Sequence, residues 1–175
     1  ITFLRRTSAQ NACAASAAAG SVWIAATTST SGMTGTGLKK CRPRTRPGSV
    51  LEVRIHDVKV IQDWGFNLIV PQLGTLPHDY DEMRHVNIPI DIERNVGILP
   101  WGLELPLRPF FGVMGIAPPK GWGKVSSVAP TAMAGNLDNK ELVKGATLYL
   151  PVFNEGALFS CGDGHGCQGD GEVNV

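Results

Sequence analysis

The residues best placed to do chemistry lie in "SCGDGHGCQGDGE", residues 160–172. Asp163 and His165 stand two apart, and on a β-strand residues i and i+2 project from the same face. A carboxylate and an imidazole so placed can reach one cation, because Asp oxygen and His nitrogen are both ligands for divalent metals. Gly162, Gly164 and Gly166 leave the opposite face bare, open to close approach by another backbone or a substrate. Asp170 and Glu172 follow a "QGDG" turn and offer further oxygen ligands or a general base. A second acidic loop, "MAGNLDNKEL", carries Asn136 and Asp138, whose plainer reading is a helix cap.

Other site chemistries find less support. "DGHGCQGDGE" does not place oxygen ligands and a glycine at EF-hand spacings, and the glycine-rich nonapeptide calcium motif, which works by repetition, occurs once. There is no G-K-[ST] for a phosphate-binding loop and no G-x-S-x-G elbow. Cys13, Cys41, Cys161 and Cys167 form no C-x-x-C pair, which excludes a zinc ribbon or thioredoxin motif. Cys161 and Cys167 are near enough in sequence to bridge, although small buried or incidental thiols are the plainer reading. A nucleophilic Cys161 of nitrilase type is a weak alternative.

These residues need a scaffold, and the composition describes one. At 175 residues, 43% apolar and 18% charged, the chain has the balance of one globular domain. Sixteen Lys+Arg against fifteen Asp+Glu leave a net charge of +1, too little to hold nucleic acid or an anionic membrane, so a small-molecule partner is expected. Twenty-one glycines and twelve prolines suit short strands joined by turns.

Residues 1–46 differ from the rest and read as a signal-like or disordered segment followed by a basic linker. Arg5 and Arg6 precede a mildly apolar Ala/Ser/Gly run from Ala12 to Ala26, shorter than the ~18 residues of a membrane span. The order resembles a twin-arginine export signal, with Phe3 and Leu4 before the arginines instead of after them. The expected location is cytoplasmic, or periplasmic if that segment directs export. "LKKCRPRTRPGS" reads as a solvated linker.

Residues 47–175 read as strands. In "VLEVRIHDVKVI" Leu51, Val53 and Ile55 alternate with Glu52, Arg54 and His56, and then the phase slips, which predicts a β-bulge at His56-Asp57. "HVNIPID", "LELPLRP" and "ATLYLPVF" each place apolar residues on one face: Val86, Ile88 and Ile90; Leu103, Leu105 and Leu107; Leu148, Leu150 and Val152. "LPHDYDEMRH" and "LDNKELVKG" have room for one or two helical turns, with Asp138 or Asn139 as cap and Gly145 as stop. The expected fold is mainly β, a sandwich or barrel-like domain with long Gly/Pro-rich loops and one or two short helices.

Four motifs in residues 111–173 are then familiar as a set. "FGVMGIAP", "GNLD", "GATLYLPV" and "GALFSCGDGHGCQGDGE" resemble, in this order, a strand, a loop, a strand and a loop of the acetamidase/formamidase family. "RPGSVLEVRIHDVKV" is similar to an earlier strand of that family, with Ser49 where Asp is usual, so the resemblance covers roughly residues 46–175. It implies a mostly β, oligomeric, metal-containing protein that hydrolyses formamide or acetamide to ammonia and the carboxylate. Asp138, Asp163 and His165 are expected to gather a divalent cation, zinc first and calcium second, while Glu172 serves as base and Asn136 or Gln168 orients the substrate. Family members are longer at both ends, so a truncated member is expected, and a non-catalytic domain binding a cation or small molecule through the same loop is the alternative.

Overall fold

The computed structural model describes residues 2–3, 16–17 and 20–28 as backbone and residues 45–173 with side chains. Arg5, Arg6, Cys13, Cys41 and most of the basic linker therefore lie outside the described residues. The strands are β1 (Thr2–Phe3), β2 (Ser16–Ala17), β3 (Gly20–Thr28), β4 (Val50–Val58), β5 (Trp64–Ile69) and β6 (Arg84–Asp91). They continue with β7 (Val96–Ile98), β8 (Glu104–Pro106), β9 (Phe110–Gly115), β10 (Ala134–Asn136), β11 (Thr147–Pro151) and β12 (Ser160–His165). One sheet runs β10-β9-β12-β1-β5-β6-β7-β8, the other β11-β4-β3-β2, and every pairing among the described residues is antiparallel.

The mainly β expectation holds, but the sheets stay open and no barrel closes. The inward residues of β4 (Leu51, Val53, Ile55) and of β11 and its extension (Leu150, Val152) join Met114 and Ile116, Met133 and Phe159 in one apolar core. The period-2 pattern thus puts one face of the small sheet onto β9 and its neighbours, as in a two-layer packing. Leu103, expected on a core-facing row, is 52% exposed, because β8 is an edge strand and only Leu107 beyond it is buried.

The phase slip in β4 is real. Trp23 faces Asp57 while Ile24 faces Ile55, so His56 is the extra residue, and the bulge falls where the sequence places it. Backbone of the Ala/Ser run is itself a strand: Gly20–Thr28 pairs with β4, a part of residues 1–46 where a signal-like or disordered segment is expected.

The two expected helices do not form. Among the described residues the helical element is a 3₁₀ turn at Lys120–Trp122. "LPHDYDEMRH" is a series of turns. In "LDNKELVKG" Asn139 accepts the Glu141 N–H at 2.9 Å, and Gly145 and Ala146 are then drawn into hydrogen bonds with Ile55. The chain must return to β4 within a few residues, and that leaves room for turns alone. No described helix is long and apolar enough to cross a membrane.

Leu51 is 1% exposed at the centre of this core. Leu51→Ala should lower unfolding free energy by about 2–5 kcal/mol, whereas Val128→Ala, at a side chain 75% exposed, should stay within about 0.5 kcal/mol; chemical denaturation measures both.

Candidate functional site

β12 lies between β9 and β1, with His165 opposite Phe110 and Gly164 opposite Phe111. The His165 ring is 2% exposed and stacks on its cross-strand neighbour Phe110, the centroids 4.7 Å apart and the planes 12° from parallel. This packing fixes the ring, so Nε2 points at a fixed place. Asp163 shares the face of His165, as strand parity requires, and its Oδ2 is 3.3 Å from Nε2.

Asp138 comes from the loop after β10. The backbone N–H groups of Leu137 and Asp138 both donate to Gly112 O, at 2.8 and 3.2 Å, which folds this loop back over β9. Asp138 Oδ1 is thereby 3.5 Å from His165 Nε2. Glu172, on the segment after β12, puts Oε1 3.6 Å from the same nitrogen. One donor atom each from Asp138, His165 and Glu172 lies within 4.8 Å of the others.

The two expected substrate-orienting amides hold the site together. Asn136 Nδ2 donates to Asp138 Oδ2, and Gln168 Nε2 donates to the Asp138 carbonyl at 2.7 Å. Asp138 thus stands with the other candidates, while Asn139 closes a turn in place of the expected helix cap. Six of the seven residues singled out in the sequence, Asn136, Asp138, Asp163, His165, Gln168 and Glu172, converge here. Asp170 does not: its side chain is 94% exposed and meets Lys140 at the surface.

Three of these acids have left-handed backbone, with φ of 43° at Asp138, 58° at Asp163 and 42° at Glu172. Non-glycine residues pay for that region in steric energy, and such strain collects where side chains must be aimed.

The electrostatics follow from three carboxylates crowding one buried imidazole. Burial disfavours the charged ring, but its hydrogen bonds to the Asp138 and Asp163 carboxylates and the charges of Asp163 and Glu172 outweigh it and push His165 up to about 9. Glu172 rises to about 7, through burial first and then the neighbouring Asp138 carboxylate. For Asp138, burial opposes ionisation, yet its bonds with His165 and Glu172 hold it below the usual carboxylate range. In the absence of a cation, protons do the work of positive charge here.

The donor set suits a divalent cation. Asp138 Oδ1 is buried without a well-formed hydrogen bond, the His165 Nε2 at 3.5 Å being a long and poorly aligned contact, and a buried carboxylate oxygen so weakly satisfied gains from a closer positive charge. Oxygen and imidazole donors together match zinc and harder divalent ions. Glu172, expected beyond the ligands as a base, stands among the possible ligands. The nitrilase-like alternative fares badly, since burial pushes the Cys161 thiol up to about 11 and a nucleophile needs the thiolate. Cys161 and Cys167 are not bridged to one another, so no disulfide between them ties this loop.

His165, Gln168 and Glu172 also line an open cleft of about 540 Å³ together with apolar Ile88, Leu105 and Trp101. Sequence reasoning passed over Gly112 and Phe110. An isolated glycine in an apolar strand is the signal that marks close approach, and "FFGVMG" carries it.

Residues 122–175 match the Acetamidase/Formamidase family. Among curated proteins, acetamidase of Mycolicibacterium smegmatis is 48% identical over 48 residues, 27% of this chain and 12% of the relative. Formamidase of Methylophilus methylotrophus is 45% identical over 47 residues, again 27% and 12%. The crystal structure of an acetamidase from Bacillus halodurans superposes with a TM-score of 0.67 at 38% identity, covering 74% of this chain and 42% of that one. The chain therefore spans less than half the length of these relatives.

A cation held by Asp138, Asp163 and His165 must displace the His165 proton below about pH 9. Apparent zinc affinity should rise about tenfold per pH unit up to about pH 9. Competition with a zinc-binding dye measures this, and an affinity flat across the range would contradict the site.

Proposed function

We propose, on the match of residues 122–175 to the Acetamidase/Formamidase family, that this protein hydrolyses a short aliphatic amide, formamide or acetamide, to ammonia and the carboxylate. The observation that carries the proposal is the meeting of Asp138, Asp163, His165 and Glu172 around one buried nitrogen at 3.3–3.6 Å. Acidic side chains at such separations suit a cation far better than they suit one another.

A divalent cation, zinc in the first place and calcium in the second, would be held by Asp138, Asp163 and His165 and would supply Lewis acidity, polarising a carbonyl and making water acidic near pH 7. The protein's own residues do the rest. Glu172, whose carboxylate lies beside the other donors, takes a proton from the attacking water as oxygen bonds to the amide carbon. It returns that proton to the amide nitrogen as the C–N bond breaks, and ammonia leaves. Phe110 keeps the imidazole from turning while this happens.

Of the two amides assigned to substrate, Gln168 fits the role better. Its Oε1 is buried with no donor in reach, which leaves an acceptor for the N–H groups of a primary amide. Asn136 spends its N–H on Asp138 and so sets the position of that carboxylate. With a net charge of +1, a small neutral substrate remains the natural partner, in preference to nucleic acid or a membrane. We also hold to a homo-oligomer, as the family resemblance implies.

The test is ammonia release from formamide and acetamide, abolished by a chelator and restored by zinc. Glu172→Gln should lower kcat by about 100-fold or more with the cation retained. If the cation is lost with it, Glu172 is a ligand and the assignment as base is wrong. Asp163→Asn should lose both cation and turnover; full metal stoichiometry in that variant would contradict the ligand set. Cation binding without any ammonia release would favour a non-catalytic binding domain.

A further inference from the structure

Gly112 occupies the middle of β9, directly across from Asp163, between the paired positions Gly162↔Val113 and Gly164↔Phe111. Its backbone lies outside the left-handed region, so nothing in φ demands a glycine here. What the position excludes is a side chain. A Cβ built on Gly112 would stand 2.5 Å from Asp163 Oδ2 and 2.7 Å from His165 Nε2, with Asp138 Oδ1 nearer still. Donor atoms from two separate segments thus converge on a point one atom wide above the Gly112 Cα.

No ion can stand at that point itself, one bond from Cα, but the bare Cα lets the donors close in: Asp163 Oδ2 and Asp138 Oδ1 lie 3.3 and 3.5 Å from His165 Nε2, near the roughly 3.3–3.4 Å between ligands around a tetrahedral zinc just above it. No hydrogen-bonding group of the protein fills the point, and Asp138 Oδ1 is one of the atoms aimed at it while lacking a well-formed hydrogen bond. We propose that Gly112 is the floor of the cation site: the missing side chain leaves the volume in which Asp138, Asp163 and His165 hold the ion. The inference rests on the cation reading above and deepens it in two ways.

It gives Gly112 a positioning role with two parts. Its carbonyl anchors the Asp138 loop through the N–H groups of Leu137 and Asp138, and its bare Cα leaves the loop's carboxylate room to meet the other donors. It also separates the carboxylates by function. Asp163 Oδ2, with Asp138 Oδ1 and His165 Nε2, is among the three atoms nearest the point above Gly112, and Glu172 Oε1, 3.6 Å from Nε2, is assigned the place beside the ion where it can carry a proton.

A methyl group at this position would press on the carboxylate ends of Asp138 and Asp163, which can swing aside, and on the Nε2 edge of the His165 ring, which yields by a small shift of β12, so the fold should tolerate it while the donors lose their common point. Glycine also weakens a strand interior, so alanine should strengthen β9 itself. The test compares Gly112→Ala with Gly162→Ala, whose added Cβ meets nothing within 4 Å on the neighbouring strand. Zinc affinity is read by dye competition and thermal stability is read in EDTA. Gly112→Ala should melt in EDTA at or above the temperature of the unsubstituted protein and bind zinc about 100-fold more weakly or worse, while Gly162→Ala binds normally. Undiminished zinc binding by Gly112→Ala, or a melting temperature in EDTA well below that of Gly162→Ala, overturns the role of Gly112. Absence of zinc binding by the unsubstituted protein overturns the cation reading and this inference with it.

Discussion

Like charges resist being brought together, and this structure brings three carboxylates within 3.3–3.6 Å of a single imidazole nitrogen that is almost wholly buried. Such a group holds together only with positive charge at its centre. Protons supply it in part, which is why His165 and Glu172 both bind them more tightly than usual. A divalent ion would supply it better, and the buried Asp138 Oδ1, without a well-formed hydrogen bond, faces the place such an ion would take.

Much of the fold serves that crowding. β12 has to run beside β9 for Phe110 to stack on His165 and for Gly112 to face Asp163. β10 has to pair with the other edge of β9 so that the loop beyond it folds back onto the Gly112 carbonyl. The second sheet buries Leu51, Val53 and Ile55 against the back of this arrangement and keeps it rigid. Local strain is the cost: Asp138, Asp163 and Glu172 all adopt positive φ, and their neighbours must hold them there.

How much of this could be seen in the sequence depends on the range of the interaction. Strand parity alone makes Asp163 and His165 neighbours, because a period of two is a local property, and the phase slip in β4 likewise reveals the bulge at His56. Asp138 is indistinguishable from a helix cap until the motif order of a family sets it beside the others; its placement depends on a hydrogen bond to β9, far away in sequence. The helices expected in "LPHDYDEMRH" and "LDNKELVKG" fail because spacing suggests helical turns without knowing how soon the chain must rejoin a strand. Gly112 is the hardest to see, since its contribution is a space, and the one trace of it in the sequence is a glycine inside the apolar strand "FFGVMG".

The central claim is that Asp138, Asp163 and His165 share one ion above Gly112. Crystals grown with zinc and measured on both sides of the zinc absorption edge test it directly. The account predicts one strong anomalous peak within bonding distance of Asp138 Oδ1, Asp163 Oδ2 and His165 Nε2. A site without a peak, or a peak held by Glu172 and away from Asp163, would contradict it.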